Sequence, residues 1–412
     1  MTTEKDLNRL ADTSYWVDKG KENIPFNPKK GTILTPKTIK GLTQSYKVLK
    51  VEDNTKNGMQ AMAVAPIKNG VVDTSEVIIA YAGTNFDDNL DRLTDTTTVV
   101  GGNMDLSIPK WWGSPEKVEG QAVTAQKFAI SIKENYPKAV VTTTGHSLGE
   151  YLAIYIAAEN QWKNTGFNGP DPYSILSDEA KQWIKDNPGL LVNYRNKHDK
   201  IGNYGGNKTG AAILLDASKG GYNPIKSLDY HDLSAWQFDK DGNLVAPGRS
   251  SRESRLAQME ATTRYQLWNL SVLSDKLRTS HGGLSSSEEI FINSGEALII
   301  LNGVSTMMED GLATVIKDYQ QAITEAEELW RETVERAQGI GMDLSYDEVI
   351  EALASGGASQ RSIVIEATAF YEQKIDSAKQ MLDEYRVLMA EIQTSIDKQL
   401  AKDQQLAKEI QF

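Results

Sequence analysis

The sequence predicts an α/β domain, built on a parallel sheet with helices on both faces, followed by an elongated all-α domain. Three observations carry that prediction. Short β-rich runs alternate with helix-forming runs in the first half, and all 12 prolines lie at or before Pro247. From about Ser286 the chain becomes rich in Glu, Lys, Gln and Ala, with apolar residues at helical spacing. Strands separated by helices pair in parallel, because the crossover that returns the chain to the same edge is itself a helix. The boundary is therefore placed between residues 285 and 286, giving domains 1–285 and 286–412.

In the first domain Ser75–Tyr81 (SEVIIAY), Ala139–Thr144 (AVVTTT) and Leu190–Tyr194 (LLVNY) read as strands. Between the first two, Glu119–Asn135 sets Val123, Phe128, Ile130 and Ile132 toward one helical face. LGEYLAIYIAAEN, starting at Leu148, is a second helix, with Leu152, Ile154, Tyr155 and Ile156 on its buried side. Phe238–Val245 reads as a hairpin with Asp241-Gly242 in the turn. Its acidic pair suggests a calcium loop, but the bidentate Glu of an EF-hand is missing.

In the second domain Asp310–Ala337 and Ala358–Phe412 are proline-free. Ile375, Ala378, Leu382, Tyr385, Met389, Ile392 and Ile396 alternate strictly by three and four, which puts one seam along a long helix. A helix of about 50 residues reaches roughly 75 Å, too long to bury its seam in a small globule. It needs an antiparallel helix or another protein. Gly339–Gly341 and Ser355–Ala358 are the expected bends.

Composition removes several function classes. There is no cysteine, hence no disulfide, thiolate metal site or thiol nucleophile. A net charge of −12 argues against nucleic acid as the main partner. The N-terminus lacks the basic and apolar regions of a Sec signal, and no unbroken apolar run is long enough to cross a bilayer. A chain without a membrane span is expected.

The chemistry points to Gly145-His146-Ser147-Leu148-Gly149, a G-x-S-x-G between a β-branched run and a helix former. On a strand–turn–helix elbow the serine is lifted above the sheet, and the positions two before and two after it must be small. The same letters can also make an ordinary turn. Serine needs a base and an acid that orients it. Of the four histidines, His146 lies inside the elbow, His198 beside Asp199, His231 in DYHDLSAWQF and His281 in SHGGLSS. In the hydrolase order Ser…Asp…His, Asp199 is the expected acid and His231 the expected base, with His281 as the alternative. The oxyanion donors are expected at the Leu148 amide and at Thr84, in the Ala82-Gly83-Thr84 loop after the SEVIIAY strand.

IIAYAGTN, GHSLGEYLA, Asp199 and His231 resemble, over about residues 60–240, the class three lipases of the α/β-hydrolase superfamily. The resemblance implies an α/β-hydrolase fold, a Ser147–Asp199–His231 triad, an oxyanion hole at Thr84 and Leu148, and no metal or cofactor. Ala82 stands where that family has an arginine, and Glu150 where it has a small residue. Glu150 suits the helix macrodipole but brings a carboxylate near a serine whose reaction develops negative charge. A lid is expected at Val99–Gly113, with Trp111 and Trp112 at an acyl-binding rim or in the core.

A lipase-like domain followed by a proline-free helical one resembles the type VII secretion lipase effectors with reversed domain order, the second domain being LXG/WXG-like. That implies a secreted antibacterial toxin acting on lipid or phospholipid esters. It also implies small WXG-like helical partners, an immunity protein, and export without a Sec signal after residence in the cytoplasm. The alternatives are a cytosolic esterase with an oligomerising helical domain and a catalytically inert adaptor.

Overall fold

The structure is a computed structural model that describes residues 2–21, 24–83, 105–108, 116–217 and 229–410, with backbone alone for 105–108 and 116–119. Thr84, Trp111 and Trp112 lie outside the described residues, as does all of the expected lid except 105–108. The chain divides into two compact units, Met1–Val272 and Leu273–Phe412.

The first unit opens with helix α1 (Glu4–Ser14), started by a capping box in which Thr3 and Asp6 satisfy each other's backbone amides. The sheet follows: β1 (Ile33–Leu34), β2 (Ser45–Asn54), β3 (Met59–Lys68), β4 (Val71–Val72) and β5 (Glu76–Tyr81). A separate ribbon pairs β6 (Asp105–Ile108) with β7 (Glu116–Glu119). Then come helix α2 (Gln121–Asn135), β8 (Val140–Gly145), helix α3 (Leu148–Asn160), β9 (Lys163–Phe167), helix α4 (Asp178–Asp186), β10 (Leu191–Asn196) and β11 (Ala212–Leu215). The sheet order is β1-β2-β3-β5-β8-β9-β10-β11, with β4 paired to β3. The pairs from β5 through β11 are parallel, and those from β1 to β5 antiparallel.

Strand alternation builds two cores from one sheet. Val77, Ile79 and Tyr81 of β5 pack with Ala125, Phe128 and Ile132 of α2 and with α3. Ile78 and Ala80 face the opposite way and pack with Leu7 and Leu10 of α1. Burying each of those leucines completely contributes about 1.5–3 kcal/mol. The polar run of β8 is tolerated because its hydroxyls are satisfied: Thr143 donates to the Ala153 carbonyl at 2.9 Å, and Thr144 toward the Leu7 carbonyl at 3.4 Å.

One expectation needs adjustment. α3 has no exposed side from Leu148 to Ala158, because the sheet, α2 and α4 all pack on it. β9 gives little sequence signal, since Lys163, Asn164, Thr165 and Gly166 are not strand-formers, yet all its residues are buried. At Phe238–Val245 an antiparallel bridge joins Phe238 to Leu244, and Gly242 takes φ 84° in the turn. Asp239 accepts from the Asp241 and Asn243 amides at 2.9 Å each, so its carboxylate serves its own turn.

Helix α5 (Arg252–His281) begins in the first unit and ends in the second, where α6 (Ser286–Ile340), α7 (Tyr346–Ser355) and α8 (Glu366–Ile410) follow, the last preceded by a π-turn at Arg361–Ile365. α6 ends at Gly341 and α7 at Gly356. α6 and α8 run antiparallel: Ser287 donates to Asp403 at 3.1 Å, Arg386 lies 2.9 Å from Glu309, and the Tyr319 and Tyr371 rings are 5.7 Å apart. Ile375 and Ala378 are buried in the seam, but Ile392 is 37% exposed.

The expectation that nothing is apolar enough to cross a membrane is corrected by α6. It holds an 18-residue window that qualifies by length and composition, of which 11% is buried. Asn293, Ser294, Gly295, Asn302 and Gly303 interrupt any strictly apolar run, yet Glu296 is the only charge between 290 and 308. Uncharged small residues lower apolarity without the cost of an ion.

Candidate active site

β8 ends at Gly145 and α3 begins at Leu148, so Ser147 sits at a strand-to-helix turn. Its backbone takes φ 58° and ψ −130°, a conformation that costs a non-glycine residue about 1–3 kcal/mol. Its amide donates to the Phe167 carbonyl at 3.2 Å, tying the turn to the end of β9. The flanking glycines are required. A Cβ on Gly145 would meet the Glu150 nitrogen at 2.6 Å, and one on Gly149 would meet the Ala82 carbonyl carbon at 2.7 Å and the Gly83 nitrogen at 2.8 Å. A strained serine between such glycines, after a central parallel strand, has the geometry of a nucleophile elbow. The fold is that of the α/β-hydrolases.

Asp199 follows β10 in the first unit and is almost wholly buried. Its Oδ1 accepts from the Ile201 amide at 2.9 Å, and its Oδ2 from the Gly202 amide at 3.1 Å. The same Oδ2 lies 2.8 Å from Nδ1 of His231. His231 is also buried and stands beside the elbow, its ring centroid 4.6 Å from that of His146, the residue before the serine. Ser147 Oγ is buried and has no hydrogen-bond partner among the described residues. Thus Asp199, His231 and the elbow are brought to one place. His198 turns instead toward Asp216, at 3.6 Å. The His281 side chain lies outside the described residues.

At the start of α3, His146 O accepts from the Gly149 amide, and Ser147 O from the amides of Glu150 and Tyr151. The Leu148 amide, in the first turn, donates to no backbone carbonyl outside the helices and strands among the described residues. Gly83 reaches the elbow as well: a Cβ there would lie 3.1 Å from Cβ of Ser147, 2.7 Å from the His146 carbonyl and 2.5 Å from the Tyr15 hydroxyl. Thr84 is the next residue.

Two residues of this site carry no signal in the sequence. The Tyr15 hydroxyl is 2.8 Å from Nδ1 of His146, although α1 lies far away along the chain. Asn168, at φ 53°, donates from Nδ2 to the His231 carbonyl at 2.9 Å and accepts from the Asn196 amide at 2.9 Å. His146 Nε2 lies 2.7 Å from that same His231 carbonyl. Burial, reinforced by His231, lowers the His146 pKa to about 3, so its ring is neutral. Among the described residues no cluster of His, Cys, Asp or Glu could hold a metal ion.

No family model and no curated protein matches the chain. Among solved structures, a Rhizomucor miehei lipase propeptide complex is 12% identical over 42% of this chain and 57% of that one, with a TM-score of 0.26. MDLA of Penicillium cyclopium is 11% identical over 60% of this chain and 86% of that one, with a TM-score of 0.32. A lipase of Rhizopus microsporus var. chinensis is 13% identical over 42% and 63%, with a TM-score of 0.27. The chain spans little more than half the length of the Rhizomucor protein. These likenesses are weak; the hydrolase fold is assigned on strand order and elbow.

Proposed function

We propose that the first domain is a serine carboxylic ester hydrolase of the lipase or phospholipase A type. The observation that carries this reading is the 2.8 Å contact of His231 Nδ1 with buried Asp199 beside a strained elbow serine. Ser147 Oγ attacks the ester carbonyl as His231 takes its proton through Nε2. Asp199 holds the imidazole by Nδ1 and stabilises the imidazolium. The amides of Leu148 and Thr84 bind the oxyanion. His231 returns the proton to the leaving alcohol, then activates water to release the fatty acid.

The second domain, taken as 286–412, serves delivery in this reading. Phe291, Val304, Val387 and Leu388 are between 45% and 60% exposed on α6 and α8, more apolar surface than two paired helices cover. Small WXG-like helical proteins are the partners that fit such seams. The toxin role, an immunity protein and type VII export from the cytoplasm without a Sec signal belong to the same proposal.

A fluorophosphonate probe should label the intact protein at Ser147 and leave Ser147→Ala unlabelled, with the variant's melting temperature unchanged. Mass spectrometry of bilayer lipids should show fatty acid released by wild type only. Labelling without lipid turnover leaves a cytosolic esterase; no labelling leaves an inert adaptor. For the second domain, co-expression with a small helical partner should give a stoichiometric complex through 286–412, and a self-dimer indifferent to partners would overturn delivery.

A further inference from the structure

We propose that Tyr15 is a positioning residue: its hydroxyl fixes the His146 tautomer that clamps the backbone of the base, and packs against the backbone of Gly83. The inference rests on the reading of Ser147 and His231 as nucleophile and base. It starts from the polar groups around one hydroxyl. A Cβ on Gly83 would lie 2.5 Å from the Tyr15 oxygen, so the hydroxyl packs on that backbone. The Tyr15 O–H, 2.8 Å from His146 Nδ1, has the His146 carbonyl as a longer alternative acceptor at 3.3 Å. A neutral imidazole carries one proton. If Nδ1 accepts, the proton is on Nε2, and Nε2 then donates to the His231 carbonyl at 2.7 Å. Each donor in this chain meets an acceptor, and the reverse tautomer would set a lone pair against that carbonyl.

His231 lies in a turn after β11, where no sheet holds its backbone. Its carbonyl takes donors from His146 and Asn168, while its ring is held by Asp199. Misplacing a base by about 1 Å costs about 100-fold in rate, so a clamp of this kind acts on kcat without touching substrate. Tyr15 itself is set by α1, whose Glu4 accepts from the Tyr194 hydroxyl and the Leu244 amide at 2.6 Å each, and whose Asp6 accepts from the Thr43 amide at 2.6 Å. The N-terminal helix is thereby built into the site.

The test is Tyr15→Phe in the full chain, which keeps the ring and removes the hydroxyl. With a soluble p-nitrophenyl ester, kcat should fall by about tenfold, as for one buried hydrogen bond, with KM within about twofold of wild type. In the His146→Phe background the added loss from Tyr15→Phe should shrink, because the two act as a unit. Selective 15N-histidine labelling gives four residues to resolve. His146 should be neutral with Nε2 protonated in wild type, and its Nδ1 resonance should move in Tyr15→Phe. An unchanged kcat, additive losses, or a wild-type His146 protonated at Nδ1 would overturn the proposal. Wild type that neither turns over ester nor takes the probe sinks the hydrolase reading instead, and the tautomer spectra still decide the clamp.

Discussion

Glu150 Oε1 accepts a hydrogen bond of 2.6 Å from Nδ2 of Asn164. The carboxyl three places after the serine is thus turned onto β9, against the bare backbones of Gly166 and Gly169. A Cβ on Gly169 would lie 2.5 Å from Cβ of Glu150, so the two glycines make the space that the larger residue fills. Burial raises its pKa well above the ordinary carboxyl value, outweighing the hydrogen bond from Asn164 and the nearby Arg195 charge. The shift favours the protonated carboxyl, in which form Glu150 brings no charge to the helix macrodipole or to the elbow.

That gives a pH prediction. A carboxyl whose folded pKa lies above its unfolded value stabilises fully below the unfolded pKa and loses that contribution as pH rises through the folded one. Wild type should therefore lose stability relative to Glu150→Gln by about 1.4 kcal/mol per pH unit above the unfolded glutamate value. Thermal melts of both proteins from pH 4 to 8 check it; curves that stay parallel would show that Glu150 is ionised.

Asp199→Asn and His231→Ala should each lower kcat for ester hydrolysis by about 10³–10⁴-fold, and the double variant little further, because triad members act as a unit. Steady-state kinetics on the three variants decide it. Activity retained in His231→Ala and lost in His281→Ala would move the base to the second histidine.

Gly149→Ala tests the elbow's steric demand. The added methyl would strike the backbone of Tyr81, Ala82 and Gly83, so the variant should be destabilised by about 3 kcal/mol, the upper range for overpacking. Urea melts measure it, with Gly248→Ala as the control, since nothing lies within 4 Å of a Cβ there.

The antiparallel register of α6 and α8 places Ser287 against Asp403. In a chain without cysteine, Ser287→Cys with Asp403→Cys should be joined within one molecule by a short bis-maleimide, whereas Ser287→Cys with Ser377→Cys should not. Peptide mapping reads the outcome. By contrast, Arg386→Ala should cost less than about 1 kcal/mol, because its pair with Glu309 is exposed.

Much of the first domain was legible because its signals are local. The strands SEVIIAY, AVVTTT and LLVNY lie within a residue or two of β5, β8 and β10, the elbow falls between β8 and α3, and the bends at Gly341 and Gly356 end their helices. The seam of α8 was legible along its length, with Ile392 its most exposed member and Ile396 again partly buried. β9 was not, since its polar residues are accepted only because neighbouring strands, α3 and the Glu150–Asn164 bond satisfy them.

The sequence by itself determined the elbow, the order Ser147, Asp199, His231 and the switch from proline-punctuated α/β to continuous helix, since each depends on residue type and spacing. Only the tertiary structure decided that Tyr15 stands on His146, that Asn168 takes the His231 carbonyl and that burial beneath β9 raises the pKa of Glu150. Those facts depend on burial and on hydrogen bonds between segments far apart in the chain, and a group's charge or tautomer is set by the neighbours that folding brings to it.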